Sequence, residues 1–424
     1  MRSELFRIPL ELAGVPLFGA GLLLALLAIG VGVYAWWARR RWGAEADLPG
    51  LFIPAAVAAA GVVLVPRLAP LGVPVRAYGL LLVAAIGVGL AMAVHRARER
   101  GVDADTILSL AMWWLFLPGI VGARLFFVIE YWEVRFAPLP LGQAIVEAFR
   151  FTEGGLVVYG SLIGATLGFL AFTYRQKLPP LALADILAPS LVAGLAIGRL
   201  GCLMNGCCFG GACDLPWAIT FPPASPPFED QLTRGQLHGV RLTQGGADAG
   251  VVVTDPPEHA GDRVVAINGY GTPSLYDAGA VLRAAYADEQ PVTVRLADDE
   301  RLKLPAAARS RSQPVHPTQI YSALHAALLA WLLWEWYPHR RRDGAVALLL
   351  LTLYPIGRFL LEMIRIDEAN FLGTGLSISQ NLSVVLLASA VLGWAWLLRS
   401  QRPLWAGLGA AGASNAGTSP AEAA

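Results

Sequence analysis

The residues best suited to chemistry lie together just after a long apolar run, in residues 197–210. This stretch holds Arg199, Asn205 and three of the four cysteines of the chain. An arginine is always charged, and its planar fork of donors suits a phosphate group. Polar residues at a membrane boundary indicate function by default, although a single arginine there can also extend its charged end to the interface. The stretch therefore predicts an anion site, with an interfacial arginine as the alternative.

A second polar group lies on one face of a later apolar segment. Four residues at intervals of four, four and three share one side of a helix: Tyr354, Arg358, Glu362 and Arg365. Charged residues inside a membrane span face the bundle interior or a water-filled cavity. This stripe of four residues is predicted to line the same polar site as Arg199, and Arg124 is a further candidate for it. The alternative is an internal Arg–Glu pair that only holds helices together.

The four cysteines, Cys202, Cys207, Cys208 and Cys213, form a C-x4-CC-x4-C pattern. Zinc sites usually show a C-x2-C pair with histidine nearby, which this pattern lacks. On the external face of a bacterial membrane, disulfides are permitted. The pattern favours disulfides or a free functional thiol, and metal binding is the remaining alternative. Of these alternatives, we predict a site without a bound metal or any other cofactor.

A short element, His-Pro-Thr-Gln-Ile-Tyr, opens another apolar segment at His316. Histidine exchanges its proton near neutral pH, so His316 is a candidate base. A histidine that caps the entry of a helix is the alternative.

The elements that must position these groups are membrane helices. The chain of 424 residues is 56% hydrophobic and 15% charged, and its mean hydropathy is positive, which is typical of polytopic membrane proteins. Its arginines occur in short clusters between apolar runs, so a nucleic-acid partner is excluded.

Glu4 and Glu11 argue against a cleavable signal peptide, and the first helix is predicted to be retained. Nine runs are long enough to span a bilayer: 17–37, 51–71, 75–95, 106–130, 156–174, 181–201, 317–337, 344–364 and 375–398.

Basic clusters alternate along the chain. They follow the first, third, fifth, seventh and ninth apolar runs. Because positive residues favour the cytoplasm, the N-terminus is predicted outside and the C-terminus inside. If each apolar run crosses the membrane once, the external side is predicted to hold Arg199, the turn at Gly154 and Gly155, and the loop after Arg365.

A polar segment of about a hundred residues separates the sixth and seventh runs, and so long a connection must contain structure of its own. Short β-rich runs at 251–253, 263–267 and 292–296 alternate there with turns and one amphipathic stretch at 274–286. The region 250–305 resembles the second half of a bacterial PDZ domain, a module that binds a peptide or protein ligand by strand addition. A β-rich external domain without a ligand is the alternative. The sequence thus predicts an all-α polytopic membrane protein of about nine transmembrane helices, with the N-terminus outside and a small β-rich, PDZ-like external insert.

Taken in chain order, these pieces resemble one family, the prolipoprotein diacylglyceryl transferases. The family's GRxGNxxNGExxG motif is similar to residues 198–210, and its HPSQLYE element to residues 316–322. Its Y…R…E..R helix resembles the stripe that begins at Tyr354. Further similar segments are 76–80, 122–124, 153–164 (the family's GGxxxHGGLIG turn) and 377–383 (its SxGQxLS segment).

This resemblance implies a transferase of the bacterial inner membrane whose site faces the periplasm and the outer leaflet. It implies transfer of the diacylglyceryl group of phosphatidylglycerol to the lipobox cysteine thiol in the signal peptide of a prolipoprotein. Catalytic roles are then expected for Arg199, Arg358, Tyr159, Tyr354 and Asn205. Substrate-binding roles are expected for Arg124, Gly154, Gly155, Gly160, Gly210, Glu362, Arg365, His316, Gln319 and Gln380. The predicted boundaries are 1–73 for extra N-terminal helices, 74–222 and 314–400 for the transferase-like core, 223–313 for the insert and 401–424 for a disordered tail.

Three positions depart from the family's motifs. Tyr159 replaces the histidine of the HGG turn, Cys202 replaces an asparagine and Cys207 replaces the glutamate. Tyrosine, with an unperturbed pKa of about 10, is a weak base unless an arginine lowers that pKa. The base is therefore left open between Tyr159, a water held by Asn205, and His316. Two other functions also stay open: a divergent member that uses its cysteines for thiol or redox chemistry, and a non-catalytic membrane adaptor that binds exported proteins through the insert.

Overall fold

Apolar helices make up most of the chain, and a β-rich domain interrupts them in sequence. The computed structural model describes residues 4–12, 15–19, 21–42, 49–137, 139–150, 155, 157–223, 225–237, 239–245, 250–287, 290–304, 311–365, 375–400, 404–405 and 407. The helices are α1 (Leu22–Trp42), α2 (Pro49–Leu68), α3 (Ala77–Arg98), α4 (Ala104–Ser109), α5 (Leu117–Glu130), α6 (Leu141–Ala148), α7 (Val158–Gln176), α8 (Pro180–Asn205), α9 (Pro226–Thr233), α10 (Leu275–Ala287), α11 (Thr318–Trp336), α12 (Ala345–Glu362) and α13 (Ile378–Arg399). The strands are β1 (Glu4–Ile8), β2 (Glu11–Leu12), β3 (Val15–Pro16), β4 (Val73–Arg76), β5 (Arg241–Gln244), β6 (Val251–Asp255), β7 (Arg263–Ile267), β8 (Tyr270–Gly271), β9 (Val292–Leu296) and β10 (Arg301–Leu304).

Within the described residues, helix occurs in each of the nine apolar runs predicted from the sequence. In the part of the chain that the structure describes, six helical segments are long and apolar enough to cross a membrane: Leu22–Arg41, Ala77–Arg98, Ala104–Glu130, Pro180–Asn205, Ala345–Glu362 and Ile378–Arg399. The chain is therefore a multi-pass membrane protein by helix length and composition. Nine complete crossings stay a prediction, because α2, α7 and α11 do not meet the same criteria over the residues described.

The chain divides into two compact units, Met1–Leu80 and Leu81–Ala424. Within the first unit, β1 pairs antiparallel with β4, and β2 pairs antiparallel with β3. The helices α1 and α2 lie between β3 and β4 in the sequence and contact one another. The cationic and thiol groups predicted to do chemistry all belong to the second unit.

Glycines allow α5 and α7 to pack backbone against backbone. A Cβ added at Gly160 of α7 would lie 2.2 Å from the carbonyl oxygen of Gly122 in α5. Two turns further along, a Cβ at Gly168 would lie 1.8 Å from the carbonyl oxygen of Trp114. Small residues at this spacing let membrane helices approach closely. Trp114 belongs to a π-helical segment, Leu110–Phe116, that interrupts the single helix predicted here.

The helices α7, α8, α11 and α12 share one apolar core. Its most buried members lie late in α7, early in α8, late in α11 and early in α12: Phe172, Leu183, Ile186, Leu333 and Val346. The opposite end of α8 has fewer buried side chains, whereas the opposite end of α11 still buries Thr318, Gln319 and Ala323. Arg199 and the segment after His316 lie at these opposite ends, away from the core members just named.

A buried ion pair lies at the end of the bundle where α8 and α12 begin. Asp185 of α8 accepts a hydrogen bond from the backbone N–H of Gly344 at 2.8 Å and lies 3.2 Å from Nε of Arg340. Asp343, in the same turn, accepts a hydrogen bond from the backbone N–H of Trp405 at 2.7 Å. Trp405 lies in the segment 401–424 that was predicted to be a disordered tail, and disorder of that segment stays a prediction.

The insert is a β-rich domain, as predicted. Its sheet has the order β10-β9-β7-β6-β5 with antiparallel pairing, and β8 pairs with β7. The runs predicted at 251–253, 263–267 and 292–296 are confirmed as β6, β7 and β9, and the amphipathic stretch is α10. Phe228 of α9 and Leu242 of β5 are buried in the same core, so the domain begins before residue 250. Its identity as a PDZ domain stays a prediction.

Backbone pairing ties both ends of the insert to the helix ends that carry the polar residues. Ile219, after α8, and Val315, before α11, exchange backbone hydrogen bonds of 3.1 and 3.0 Å. The side-chain oxygen of Gln231 in α9 accepts a hydrogen bond from the backbone N–H of Gln313 at 2.7 Å. The end of α8, the base of the insert and the start of α11 therefore form one connected region.

Candidate active site

Arg199 lies in the last two turns of α8 and is half-buried. Among the residues that the structure describes, none accepts a hydrogen bond from its guanidinium group and none forms an ion pair with it. A charged group in a membrane span is costly unless it meets a partner or water. The Arg199 guanidinium is therefore available to an anion from outside the protein, and its role in the site stays a prediction.

On α12, the predicted stripe forms a linked set of charges. Glu362 is only 5% exposed and accepts a hydrogen bond from Arg358, while Nε of Arg365 lies 3.7 Å from its carboxylate. Arg358 also donates a hydrogen bond to Oγ of Ser379 in α13 at 2.7 Å. The internal Arg–Glu pair, which the sequence left as an alternative, is therefore present. One buried carboxylate therefore holds two arginines close together.

Tyr354 lies at the start of the same stripe, and its ring is 6.4 Å from the ring of His325 in α11. The His325 ring lies over Gly357, where an added Cβ would be 1.9 Å from its Nε2. His325 is thus positioned one residue from Arg358 along α12. The sequence analysis did not select it, although a histidine inside an apolar helix is the signal that could have done so.

Arg124 in α5 is buried, and its guanidinium group donates hydrogen bonds to three backbone carbonyl oxygens. Its Nε donates to Ala148 at 2.8 Å, Nη1 to Gly155 at 3.0 Å and Nη2 to Glu147 at 2.6 Å. These contacts join the end of α6 to the turn before α7. This geometry gives Arg124 a positioning role in the turn, and its substrate-binding role stays a prediction.

Three of the cysteines converge where α8 ends. The Sγ atoms of Cys202, Cys207 and Cys208 all lie within 4.8 Å of one another, and all three residues are half-buried. Cys213 is buried and outside this group, and none of the four cysteines forms a disulfide. The side chain of Asn205, predicted to be catalytic, hydrogen-bonds Cys207.

The Cys208 thiol has an unusual electrostatic environment. Hydrogen bonds from the thiols of Cys202 and Cys207 lower its pKa, and the charges of Arg365 and Arg199 lower it further, whereas burial opposes these effects. Thiolate is the form of cysteine that attacks carbon and binds metals. The position therefore favours thiolate chemistry beside Arg199.

The segment before α11 holds the cysteine loop in place. Thr318 Oγ1 donates to the carbonyl oxygen of Cys208 at 2.6 Å, and Gln319 Nε2 donates to that of Cys207 at 2.8 Å. Gly210 donates its N–H to the carbonyl oxygen of His316 at 3.1 Å, and an added Cβ there would lie 2.6 Å from the His316 Cβ. The lack of a side chain at Gly210 thus lets its backbone approach His316 closely, and Gln319 supports the cysteine loop. Nδ1 of His316 is buried without a hydrogen-bond partner among the described residues.

The remaining residues selected from the sequence have mainly local contacts. Gly160 packs against α5, and Gln380 forms a capping box with Ser377 at the start of α13. Tyr159 is half-buried in the first turn of α7. Gly154 lies outside the described residues. Catalytic or substrate-binding roles for these residues stay predictions.

The cysteine loop and the stripe on α12 are directly joined. Gly211 donates its N–H to the carbonyl oxygen of Ile364 at 2.9 Å, and Gly210 and Arg365 form an antiparallel bridge. Arg199 lies one turn before Cys202 on α8. The charges of Arg199 and Arg365 both lower the pKa of Cys208, and Arg365 shares the Glu362 carboxylate with Arg358.

These features define a class: a multi-pass helical membrane protein in which several helix ends gather arginines, a buried glutamate and thiols. A family model described as prolipoprotein diacylglyceryl transferase matches residues 66–396, which is more than half of the chain. A Rhodopirellula baltica protein named phosphatidylglycerol–prolipoprotein diacylglyceryl transferase is 35% identical, over 92% of this chain and 88% of its own length. Proteins of the same name from Synechococcus elongatus and Acaryochloris marina are 26% identical over 80% of this chain and 89% of theirs, and 38% identical over 37% and 54%. The chain belongs to the prolipoprotein diacylglyceryl transferase family.

Proposed function

We propose that this protein transfers the diacylglyceryl group of phosphatidylglycerol to the lipobox cysteine thiol of a prolipoprotein and releases glycerol phosphate. The observation that carries the proposal is the half-buried guanidinium of Arg199, with which no described residue forms an ion pair or a hydrogen bond. An anionic phospholipid head group matches that charge and donor geometry. The names of the relatives support the same reaction.

In this reaction a carbon–oxygen bond to phosphate breaks while a thiolate attacks the carbon. Negative charge grows on the departing phosphate, so donors fixed in a site with little water lower the barrier. Arg199 supplies such donors, and Arg358, which donates a hydrogen bond to Glu362, is the second candidate cation. Glu362 thereby orients Arg358 and Arg365 as a positioning residue.

We place the site at the outer leaflet of a bacterial inner membrane, facing the periplasm. The alternation of basic clusters supports this orientation, because it puts the end of α8 outside. A lipobox cysteine lies at the end of an exported signal peptide, and such a peptide could reach the polar region beside Cys208 from that side.

A direct assay tests the proposed activity. The purified protein is reconstituted with phosphatidylglycerol and given a synthetic lipobox peptide. We expect mass spectrometry to find a thioether-linked diacylglyceryl group on the peptide cysteine, with glycerol phosphate released in equal amount. A peptide with serine in place of that cysteine is the matched control. Failure of correctly inserted protein to modify the cysteine peptide would reject the proposal.

We further propose that the insert binds an extended segment of a prolipoprotein or another envelope protein at β5. This strand lies at the edge of the sheet, and Leu275 at the start of α10 donates its backbone N–H to the Gln244 side chain beside it at 2.8 Å. Edge strands bind peptides through main-chain hydrogen bonds.

Replacing residues 226–304 with a flexible linker should separate recruitment from chemistry. This range includes α9, because Phe228 shares the apolar core of the insert. We expect transfer to a short lipobox peptide to be kept, while transfer to full-length prolipoproteins falls several-fold. Parallel rates on both substrates, measured for parent and variant, decide the question. Equal rates for the two proteins on full-length substrates would contradict recruitment by the insert.

A further inference from the structure

The three convergent cysteines form a more specific arrangement than the sequence pattern indicated. Their Sγ atoms form a triangle with every separation within 4.8 Å, at the edge of the region that holds Arg199. A disulfide joins two sulfurs at about 2.05 Å and would leave the third cysteine unused. In tetrahedral zinc sites, Zn–S distances of about 2.3 Å imply that ligand sulfurs are about 3.8 Å apart. The triangle is compatible with one metal ion bound by all three thiolates.

The backbone holds this triangle before any ligand binds. Gly206 ends α8 in the left-handed conformation at φ 81°, and Cys208 adopts φ 60°, which is uncommon for a residue other than glycine. Such a conformation persists where the surrounding structure enforces it. The hydrogen bonds from Thr318 and Gln319 to the carbonyl oxygens of Cys208 and Cys207 supply that constraint. A site held from two helices distant in sequence is preorganised for a ligand.

The charges around the triangle fit a thiolate-bound divalent cation. Three thiolates and one divalent ion carry a net charge of minus one, and such a charge at a membrane boundary needs a positive neighbour. Arg199 lies one turn before Cys202, and Arg365 is bridged to the backbone of Gly210 just after Cys208. Soft thiolate ligands select zinc over the harder cations that bind carboxylates.

We propose that Cys202, Cys207 and Cys208 bind one Zn²⁺ ion with an open fourth position, and that this position takes the thiol of the substrate cysteine. The proposal rests on the transferase function proposed above and gives it a means of activating the nucleophile. Three protein ligands with one open position are the usual arrangement of catalytic zinc. All three cysteines are half-buried, so a substrate can reach them.

The step balances without any change in the oxidation state of the metal. A thiol that coordinates zinc loses its proton, which passes to solvent. The resulting thiolate sulfur attacks the glycerol carbon, so a carbon–sulfur bond forms while the carbon–oxygen bond to phosphate breaks. The electron pair of that bond leaves with the glycerol phosphate oxygen beside Arg199. The thioether product carries no charge on sulfur, binds zinc weakly and leaves the fourth position open again.

Metal content of the full-length protein tests the site itself. Protein purified without chelator should contain about one zinc ion per chain by mass spectrometry of the elements, as one three-cysteine site requires. The single variants Cys202→Ser, Cys207→Ser and Cys208→Ser should each lose most of it. Cys213→Ala is the matched control and should keep it, because Cys213 lies outside the triangle. Absence of zinc after incubation with Zn²⁺, or a disulfide between any two of the three cysteines in the intact mass, would overturn the proposal.

Cobalt substitution tests the open position without relying on activity. Cobalt-loaded protein should show thiolate-to-cobalt absorption, and a cysteine lipobox peptide should change it, whereas the serine peptide should not. Transfer to the cysteine peptide without bound metal would reject the metal site and leave the transferase function standing. A cysteine-dependent cobalt spectrum in a protein that transfers no lipid would reject the function and keep the site. Identical spectra with both peptides would reject substrate coordination.

Discussion

Arg199→Ala is expected to lower the rate of diacylglyceryl transfer by about 100- to 1,000-fold, the range found when one preorganised donor to a developing anion is removed. The reason is that Arg199 is half-buried and makes no hydrogen bond or ion pair with the described residues. The substitution therefore removes a contact to substrate without breaking one within the protein. The assay with phosphatidylglycerol and a lipobox peptide measures the effect, and protein stability should change little.

Two further variants separate charge from geometry at this position. Arg199→Lys keeps the positive charge but loses the planar fork, so we expect a rate between those of the parent and the alanine variant. Arg175→Ala removes an exposed arginine in the last turn of α7, distant in sequence from the site, and should match the parent. A parent-like rate for Arg199→Ala would remove the main support for a phosphate site at the end of α8.

The spacing of polar residues predicted contacts correctly where one helix carries them. Arg358 and Glu362 are four residues apart on α12, and the helical period alone brings their side chains together. The strands β6, β7 and β9 were also predictable, because β-branched runs between turn residues are a local signal. By contrast, β5 and α9 are short and polar in sequence, and they became recognisable only through the core that they share with α10.

Spacing does not reveal whether a polar side chain faces a ligand or the protein's own backbone. Arg124 and Gln319 are both predicted to bind substrate, and each also donates a hydrogen bond to a carbonyl oxygen of the chain that the sequence did not indicate. Those carbonyls come from segments 23 and 112 residues away in sequence, so only the tertiary fold determines the contact. The triangle of cysteine sulfurs has the same origin. The C-x4-CC spacing lacks a standard metal pattern, and the turn at Gly206 brings the thiols together.

Glu362→Ala is expected to be the most destabilising single substitution in the site. Glu362 is 5% exposed and lies between Arg358 and Arg365. Removing one partner of a buried ion pair leaves an uncompensated charge and costs about 3–5 kcal/mol. The loss should appear as a lower midpoint in thermal or denaturant unfolding of the detergent-solubilised protein. Glu335→Ala removes an exposed glutamate near the end of α11 and serves as the control.

A double-mutant cycle shows whether the cost arises from the cations that lose Glu362. If it does, Arg365→Ala introduced into the Glu362→Ala protein should restore part of the stability, because one of the two cations that lost this carboxylate is removed. The two changes would then be non-additive, as expected for side chains in one ion-pair network. Strictly additive effects, or a Glu362→Ala protein as stable as the parent, would show that Glu362 does not hold the arginines in place. Because Glu362 fixes the position of Arg358, a candidate catalytic residue, transfer should fall together with stability in the single variant, whereas the Glu335→Ala protein should keep both.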